Sequence, residues 1–253
     1  MNKEIVTGFA DASDVELVTQ KLTSYYVDTS RVSLDRIPKK VSAKIVSKYH
    51  YSGKLSSCRY ALGLYYKSDN QHKFFDDTEE YLIGTLTYGF PKGRRVVGSI
   101  FNEDIIGNRN ILELTRLCVK NGFGSNIESY CIAQTLKMLK KDSPQTKVVI
   151  SYADPSVNHK GIIYRASNWL YQGNEIGAAD AYMYRYPNTD NWLSDRAIGE
   201  QLGTNGLKAV LSKIPDMEYK KKLRKHRYIY FLCSKKEKKR LMGELKHPLI
   251  SYD

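Results

Sequence analysis

The sequence has no run of about 18–20 apolar residues able to cross a membrane as a helix. Its opening, MNKEIVTGFADASDVELV, lacks the basic-then-apolar layout of a secretory signal. Both absences predict a cytoplasmic protein without a membrane partner. Cysteines are few and scattered: Cys58, Cys118, Cys131 and Cys233 form no CxxC pair and no Cys–His cluster at metal-ligand spacing. That argues against a zinc centre or a disulfide framework and predicts reduced, partly buried thiols, with Cys58 the most exposed. Low-complexity linkers and internal repeats are also missing. The 253 residues therefore read as one domain, with a core over about 36–233 and a basic C-terminal extension over 234–253.

Negative charge is the other shortage. Asp and Glu number 27 against 40 Lys and Arg, a formal net charge of +13. The excess is concentrated: residues 219–240, YKKKLRKHRYIYFLCSKKEKKR, hold 11 Lys or Arg against Glu237 alone. Such a density attracts a polyanion by counterion release. The 20 tyrosines add flat faces on which bases can stack. Nucleic acid is the partner this composition favours, ahead of a merely solvated surface, an acidic protein or a membrane face.

The spacing predicts a helix over 13–26, where Ser13 and Glu16 form a capping box, and a second from Pro38 to Gly53. Strands are expected over 58–66 and 81–90, then an irregular excursion over 91–110. Next come a strand over 111–119, a helix capped by Ser125 with Glu128, a buried strand ending at Asp154 and Pro155, and a helix over 159–173. A strand at DAYMYRYP, helices over 193–202 and 206–213, a strand at RYIYFLC and a basic helix over 235–245 complete the reading. Strand, crossover helix and strand imply parallel neighbours, hence an α/β fold with a mixed sheet.

Two stretches carry chemistry. VKNGFGSNIES leads a strand into a glycine-containing loop and then a helix. Glycines let a backbone approach a phosphate, and a helix N-terminus favours negative charge. The stretch is neither a Walker loop nor a dinucleotide fingerprint, and an ordinary capped loop explains it too. In the second stretch, VVISYADPSVNHKGIIYRASNWLYQG, a strand delivers Asp154 and a following helix Tyr164, with His159 between.

Residues 112–172 resemble the core of the GNAT N-acetyltransferases. In that family a strand leads to a Gly-x-Gly/Ala loop that cradles the pyrophosphate of an acyl-coenzyme A. The next strand splays away, and a helical Tyr protonates the departing thiolate. Ile163-Tyr164-Arg165-Ala166-Ser167-Asn168-Trp169 fits the helix pattern, with Asn-Trp where Gly-Phe is usual; Val119 stands where Gln or Arg would open the loop. A closer resemblance is to the Mom family of phage DNA-modification proteins. It rests on LELTRLCV, SNIESYCIAQTLKML and the Asp154–Tyr164 stretch in family order, with KYHYSG before them and KHRYIYFL after.

The Mom resemblance implies a GNAT-like acyltransferase fold with splayed central strands that converts adenine in DNA to N6-methylcarbamoyladenine, protecting the DNA from restriction in an infected or lysogenic host cell. It implies acetyl-CoA or a related acyl-CoA as donor and double-stranded DNA with a flipped adenine as partner; no metal is expected, because the residues themselves offer no cluster of ligands. The implied active site is Arg116, Ser129, Asp154 and Tyr164. The cofactor loop is Val119, Lys120, Gly122, Phe123, Gly124, Ser125 and Asn126, and the DNA side takes His50, Tyr51, Lys220, Lys221, Lys222, Arg224, Lys225 and Arg227. On the residues alone, Arg116 interrupts an apolar strand and needs a partner, for which Asp154 is the natural candidate. Asp154 can take the proton of an exocyclic amine or only shape a turn before Pro155. Tyr164 can be an acid or a buried, hydrogen-bonded tyrosine. Rival functions are an N-acyltransferase for a protein or small amine, and a DNA-binding protein without catalysis. Oligomeric state is open.

Overall fold

The computed structural model describes residues 26–67, 80–92, 96–102, 104–174, 176 and 181–252. The helix expected over 13–26 falls, except for Tyr26, outside them. The chain forms β1 (Val32–Arg36), α1 (Lys39–Tyr49), β2 (Tyr60–Lys67), β3 (Glu80–Gly89) and β4 (Ile111–Val119). It continues with α2 (Ile127–Asp142), β5 (Val148–Ala153), α3 (Ile162–Ala166) and β6 (Leu170–Gly173). Then follow β7 (Tyr182–Arg185), β8 (Leu193–Ser194), α4 (Asp195–Leu202), α5 (Leu207–Lys213), β9 (Glu218–Lys221), β10 (His226–Phe231) and α6 (Lys235–Gly243). This is a mixed α/β architecture.

Seven strands make the main sheet in the order β1-β2-β3-β4-β5-β10-β6. Among the described strands only β4 and β5 pair in parallel, joined through α2 as the expected crossover. Their pairing covers Ile111–Glu113 against Val148–Ile150 and then stops. Beyond it β4 runs on along β3, with a bulge that sets Thr87 opposite Arg116 and Tyr88 opposite Leu114, while β5 runs on along β10. The two strands therefore part like a wedge, open toward their C-terminal ends.

Alternation along the strands builds a core on each face. Leu112, Leu114 and Val149 face α2, whose Ile132, Leu136 and Leu139 recur at helical spacing, and α3, which adds Tyr164 and Trp169. On the other face Val148, Ile150 and Ile229 meet Leu241 of α6 and the 97–106 segment. There too Ile45 of α1 packs on Ala61 and Cys118. The C-terminal residues are thus tied into the sheet, and Ile250 donates its amide to the Tyr171 carbonyl (2.8 Å). A smaller sheet, β8-β7-β9, has its own core of Tyr184, Ile198, Val210 and Met217.

The single helix expected over 159–173 is corrected. Helix α3 lasts five residues, from Ile162 to Ala166, and the chain then turns into β6. The cause is backbone conformation at both ends: Gly161 has φ +71 and Asn168 has φ +60, so neither continues a right-handed helix. A Cβ on Gly161 would lie 2.3 Å from the Tyr228 ring, so only glycine fits there. Ile162, assigned by helical spacing to the apolar face, is 69% exposed. The capping box at Ser125 is corrected too: the N-cap of α2 is Asn126, at φ +67, with no side-chain cap bond.

Candidate active site

The open end of the wedge gathers three loops. Residues 120–126 follow β4, residues 154–161 follow β5, and residues 50–57 follow α1. Where the backbone pairing ends, a side chain takes its place. Ser151, next after the last paired residue of β5, sets its Oγ 3.0 Å from the carbonyl of Leu114, next after the last paired residue of β4. The same Oγ lies 2.8 Å from the Tyr164 hydroxyl. Burial pushes that phenol up to about 12; Ser151 opposes the shift, while nearby Tyr51 and Glu113 add to it. Trp169 and Tyr228 flank the Tyr164 ring at 5.2 and 4.8 Å.

Asp154 and Arg116 do not pair, contrary to expectation. Their strands have already diverged. Because β10 lies antiparallel to β5 with His226 opposite Ala153, the next residue back, Lys225, falls opposite Asp154. Its Nζ is 2.9 Å from Asp154 Oδ2. Ser156 donates to Asp154 Oδ1 through its amide (3.0 Å) and its hydroxyl (2.5 Å). Burial raises the carboxyl, but Ser156 and Lys225 outweigh it, and Asp154 lies below its ordinary range. Arg116 instead donates to the carbonyls of Lys54 (2.9 Å) and Thr115 (2.6 Å), holding the 50–57 loop against β4.

That loop brings its aromatic residues into the site. His50 stacks on Tyr51 at 4.3 Å, and Tyr51 meets His159 edge-on at 5.4 Å, so the α1 and β5 sides touch across the mouth. His50 Nδ1 accepts from the Ser52 amide (3.1 Å), which requires an unprotonated nitrogen there. Burial, then Arg116 and His159, depress its pKa to about 4. Glu113, absent from the residues singled out in the sequence, sits on the last paired residue of β4. Burial raises its carboxyl despite the Lys92 amide and the nearby charges of Arg116 and Lys225. A glutamate in the apolar run ILELTRL is the available signal, as strong as the one at Arg116.

Other expected positions divide clearly. In the 119–126 loop Gly122 and Gly124 take φ +98 and +95, and Lys120 lies with its Nζ 5.3 Å over the Tyr49 ring. Phe123 packs on Tyr66, and Val119 pairs with Gly84 in the sheet. Ser125 accepts the Val27 amide on its carbonyl (3.0 Å). The Ser129 hydroxyl donates to the Asn126 carbonyl (3.0 Å) in the first turn of α2, and its carbonyl accepts from the Ser167 hydroxyl (3.4 Å), three residues after Tyr164. Lys220, Lys221 and Lys225 are exposed, and Lys222 and Arg224 half-buried. Arg227 is corrected. It is 2% exposed and donates to Gln172 Oε1 (2.9 Å) and Ser99 Oγ (2.8 Å), because β10 is an interior strand; it cannot reach DNA. Cys118 and Cys131 are buried and Cys58 and Cys233 half-buried, and all four are free.

The chain is similar to several known proteins. The solved structures it resembles include an N-acetyltransferase from Staphylococcus aureus Mu50, with 10% identity and TM-score 0.38 over 79% of this chain and 97% of that one. A spermidine N-acetyltransferase from Vibrio cholerae, in complex with CoA and spermine, aligns at 8% identity and TM-score 0.38 over 80% and 96%. Methylcarbamoylase mom of Escherichia phage Mu is 29% identical over 177 residues, 65% of this chain and 64% of that protein. The match therefore spans less than two-thirds of that relative's length. The profile of the Mom protein family matches residues 31–252, which include every strand, helix and site residue described above, and the chain belongs to that family.

Proposed function

We propose that this protein modifies adenine in DNA, attaching a group to the exocyclic amine with an acyl-coenzyme A as donor, in line with the name methylcarbamoylase carried by its phage Mu relative. The observation that supports this most is the Tyr164 hydroxyl, fixed by Ser151 where β4 and β5 part. An acyl thioester in that gap meets unpaired β4 backbone on one side and a phenol on the other. The 119–126 loop suits the pyrophosphate: two glycines at positive φ precede a helix whose first amides have no side-chain cap. When bound, the coenzyme supplies a thiol leaving group; Tyr164, protonated at neutral pH, gives its proton to the departing thiolate.

Two carboxyls have environments that separate their roles. Asp154, held down by Ser156 and Lys225, stays ionised and faces the positive charge that grows on an attacking amine. Glu113, raised by burial, is the better proton acceptor. A methylcarbamoyl group contains a nitrogen that plain acetyl transfer does not supply, so these residues are assigned only the amine attack and the thiolate departure. Lys220, Lys221, Lys222 and Arg224 lead along the chain to Lys225 at Asp154, a basic approach that suits a DNA backbone. A stacked adenine must leave the helix to reach the wedge, which DNA-modifying enzymes achieve by flipping.

Mass spectrometry of nucleosides from DNA co-expressed with the protein tests the reading. The parent is expected to yield a modified adenosine; Tyr164→Phe, Asp154→Asn and Glu113→Gln are expected to lower it by about 10²–10⁴ at parental soluble yield. Unmodified DNA with the parent protein, or parental modification by Tyr164→Phe, refutes it.

A further inference from the structure

Ser151 is 1% exposed and touches two groups that make different demands on it. Its hydroxyl carries one hydrogen, and the Leu114 carbonyl can only accept. With that hydrogen on Leu114, the Tyr164 hydroxyl must donate to Ser151, and all three groups are satisfied. With the hydrogen on Tyr164, the tyrosyl proton is free to point into the wedge, but the Leu114 carbonyl loses a partner. The first arrangement suits a resting tyrosine. The second suits a tyrosine that has lost its proton, since a phenolate oxygen accepts more strongly than a neutral carbonyl.

We propose that Ser151 is a positioning residue for this reaction, its hydroxyl hydrogen moving from the Leu114 carbonyl to Tyr164 Oη as Tyr164 gives up its proton. The inference rests on the function proposed above, in which Tyr164 protonates the thiolate of an acyl thioester. The Tyr164 O–H bond breaks, its electron pair stays on the phenolate, and the thiolate sulfur forms an S–H bond. The acylated amine sheds its proton to Glu113, the acceptor assigned above, and a proton from that carboxyl restores the nearby phenolate, so amine plus thioester gives amide plus thiol in balance. The bond from Ser151 to Tyr164 is strongest in the transition state, the condition for an interaction to raise the rate rather than only tighten binding. Burial of the phenol makes this support necessary, because water cannot solvate the anion there.

The test follows the rate at which modified adenine appears in co-expressed plasmid DNA, at matched soluble protein, together with coenzyme A affinity by calorimetry and melting temperature. Ser151→Ala is expected to lower the rate about tenfold or more, the loss of one charge-assisted hydrogen bond, with coenzyme A affinity near parental and a modestly lower melting temperature because the buried Leu114 carbonyl loses its partner. Ser151→Thr, which keeps the hydroxyl, is expected to restore the rate to within a few fold. If the Ala variant does not fold, Ser151→Cys fills the space with only a weak donor and replaces it in the test. A parental rate in the Ala or Cys variant overturns the proposal. So does a rate loss that tracks lost affinity or melting temperature and that Thr does not restore. Parental modification by Tyr164→Phe overturns instead the reading on which it rests.

Discussion

His50 keeps a neutral imidazole because burial, Arg116 and His159 all disfavour the cation, and the Ser52 amide donates to its Nδ1. A histidine depressed to about 4 in the fold takes no proton where the unfolded chain does, between about pH 6.5 and about pH 4. Its stabilising share is thus complete above that window and lost as the pH falls through it. His50→Gln is expected to flatten the decline of melting temperature over this range by up to one proton's worth of slope, leaving pH 7–8 little changed. Equal slopes in parent and variant contradict the buried, neutral assignment. Tyr164 and Asp154 stand out in the sequence because both fall inside one local stretch, Asp154 just after β5 and Tyr164 within α3. Their partners are not. Lys225 reaches Asp154 only through the register of β10 on β5, and Ser151 reaches Leu114 only because the pairing of β4 and β5 stops one residue earlier. Neither fact is written in any window of neighbouring residues.

At the scale of elements, α2 begins without a side-chain cap, on a left-handed Asn126. Asn126→Asp keeps the shape and adds an anion at the helix N-terminus, where it stabilises by about 0.3–1 kcal/mol. The same charge repels a pyrophosphate. The expected pair of results is a melting temperature equal to or slightly above the parent's and a coenzyme A affinity reduced about tenfold or more by calorimetry. Undiminished affinity would remove this loop from the cofactor site. Long periodic elements can be read from sequence: α1, α2, β2 to β5 and β10 lie close to their expected positions. Short ones cannot. α3 and β6 merge into one expected helix because Ile162, Trp169 and Leu170 happen to keep helical spacing, whereas Gly161 and Asn168 decide the break. β9 escapes notice because four consecutive exposed residues, EYKK, show no alternation of apolar and polar.

For the whole molecule, the basic run of residues 219–240 becomes two surfaces separated by a buried strand. β10 travels from His226 beside Ala153, at the open end of the wedge, to Phe231 beside Val148, so α6 starts from the opposite end of the sheet. On the proposed function, DNA brought to the wedge would meet residues 220–225 first. Replacing Lys220, Lys221, Lys222 and Arg224 by Gln is expected to flatten the dependence of DNA affinity on salt, by roughly 0.9 for each phosphate no longer neutralised. Replacing Lys235, Lys236 and Lys239 is expected to change the slope far less. Equal flattening by both sets would mean that DNA tracks the entire run. The position of β10 also affects how the protein is made. It enters the sheet between β5 and β6, although the whole smaller sheet is synthesised between them and it. A nascent chain that has emerged only through the smaller sheet holds two facing strand edges open, edges prone to mispairing. It also lacks Tyr228 beside Gly161, and Lys225 has no register to bring it to Asp154. The ribosome therefore delivers the Asp154–Tyr164 stretch early, while the wedge takes its folded form only after β10 has emerged.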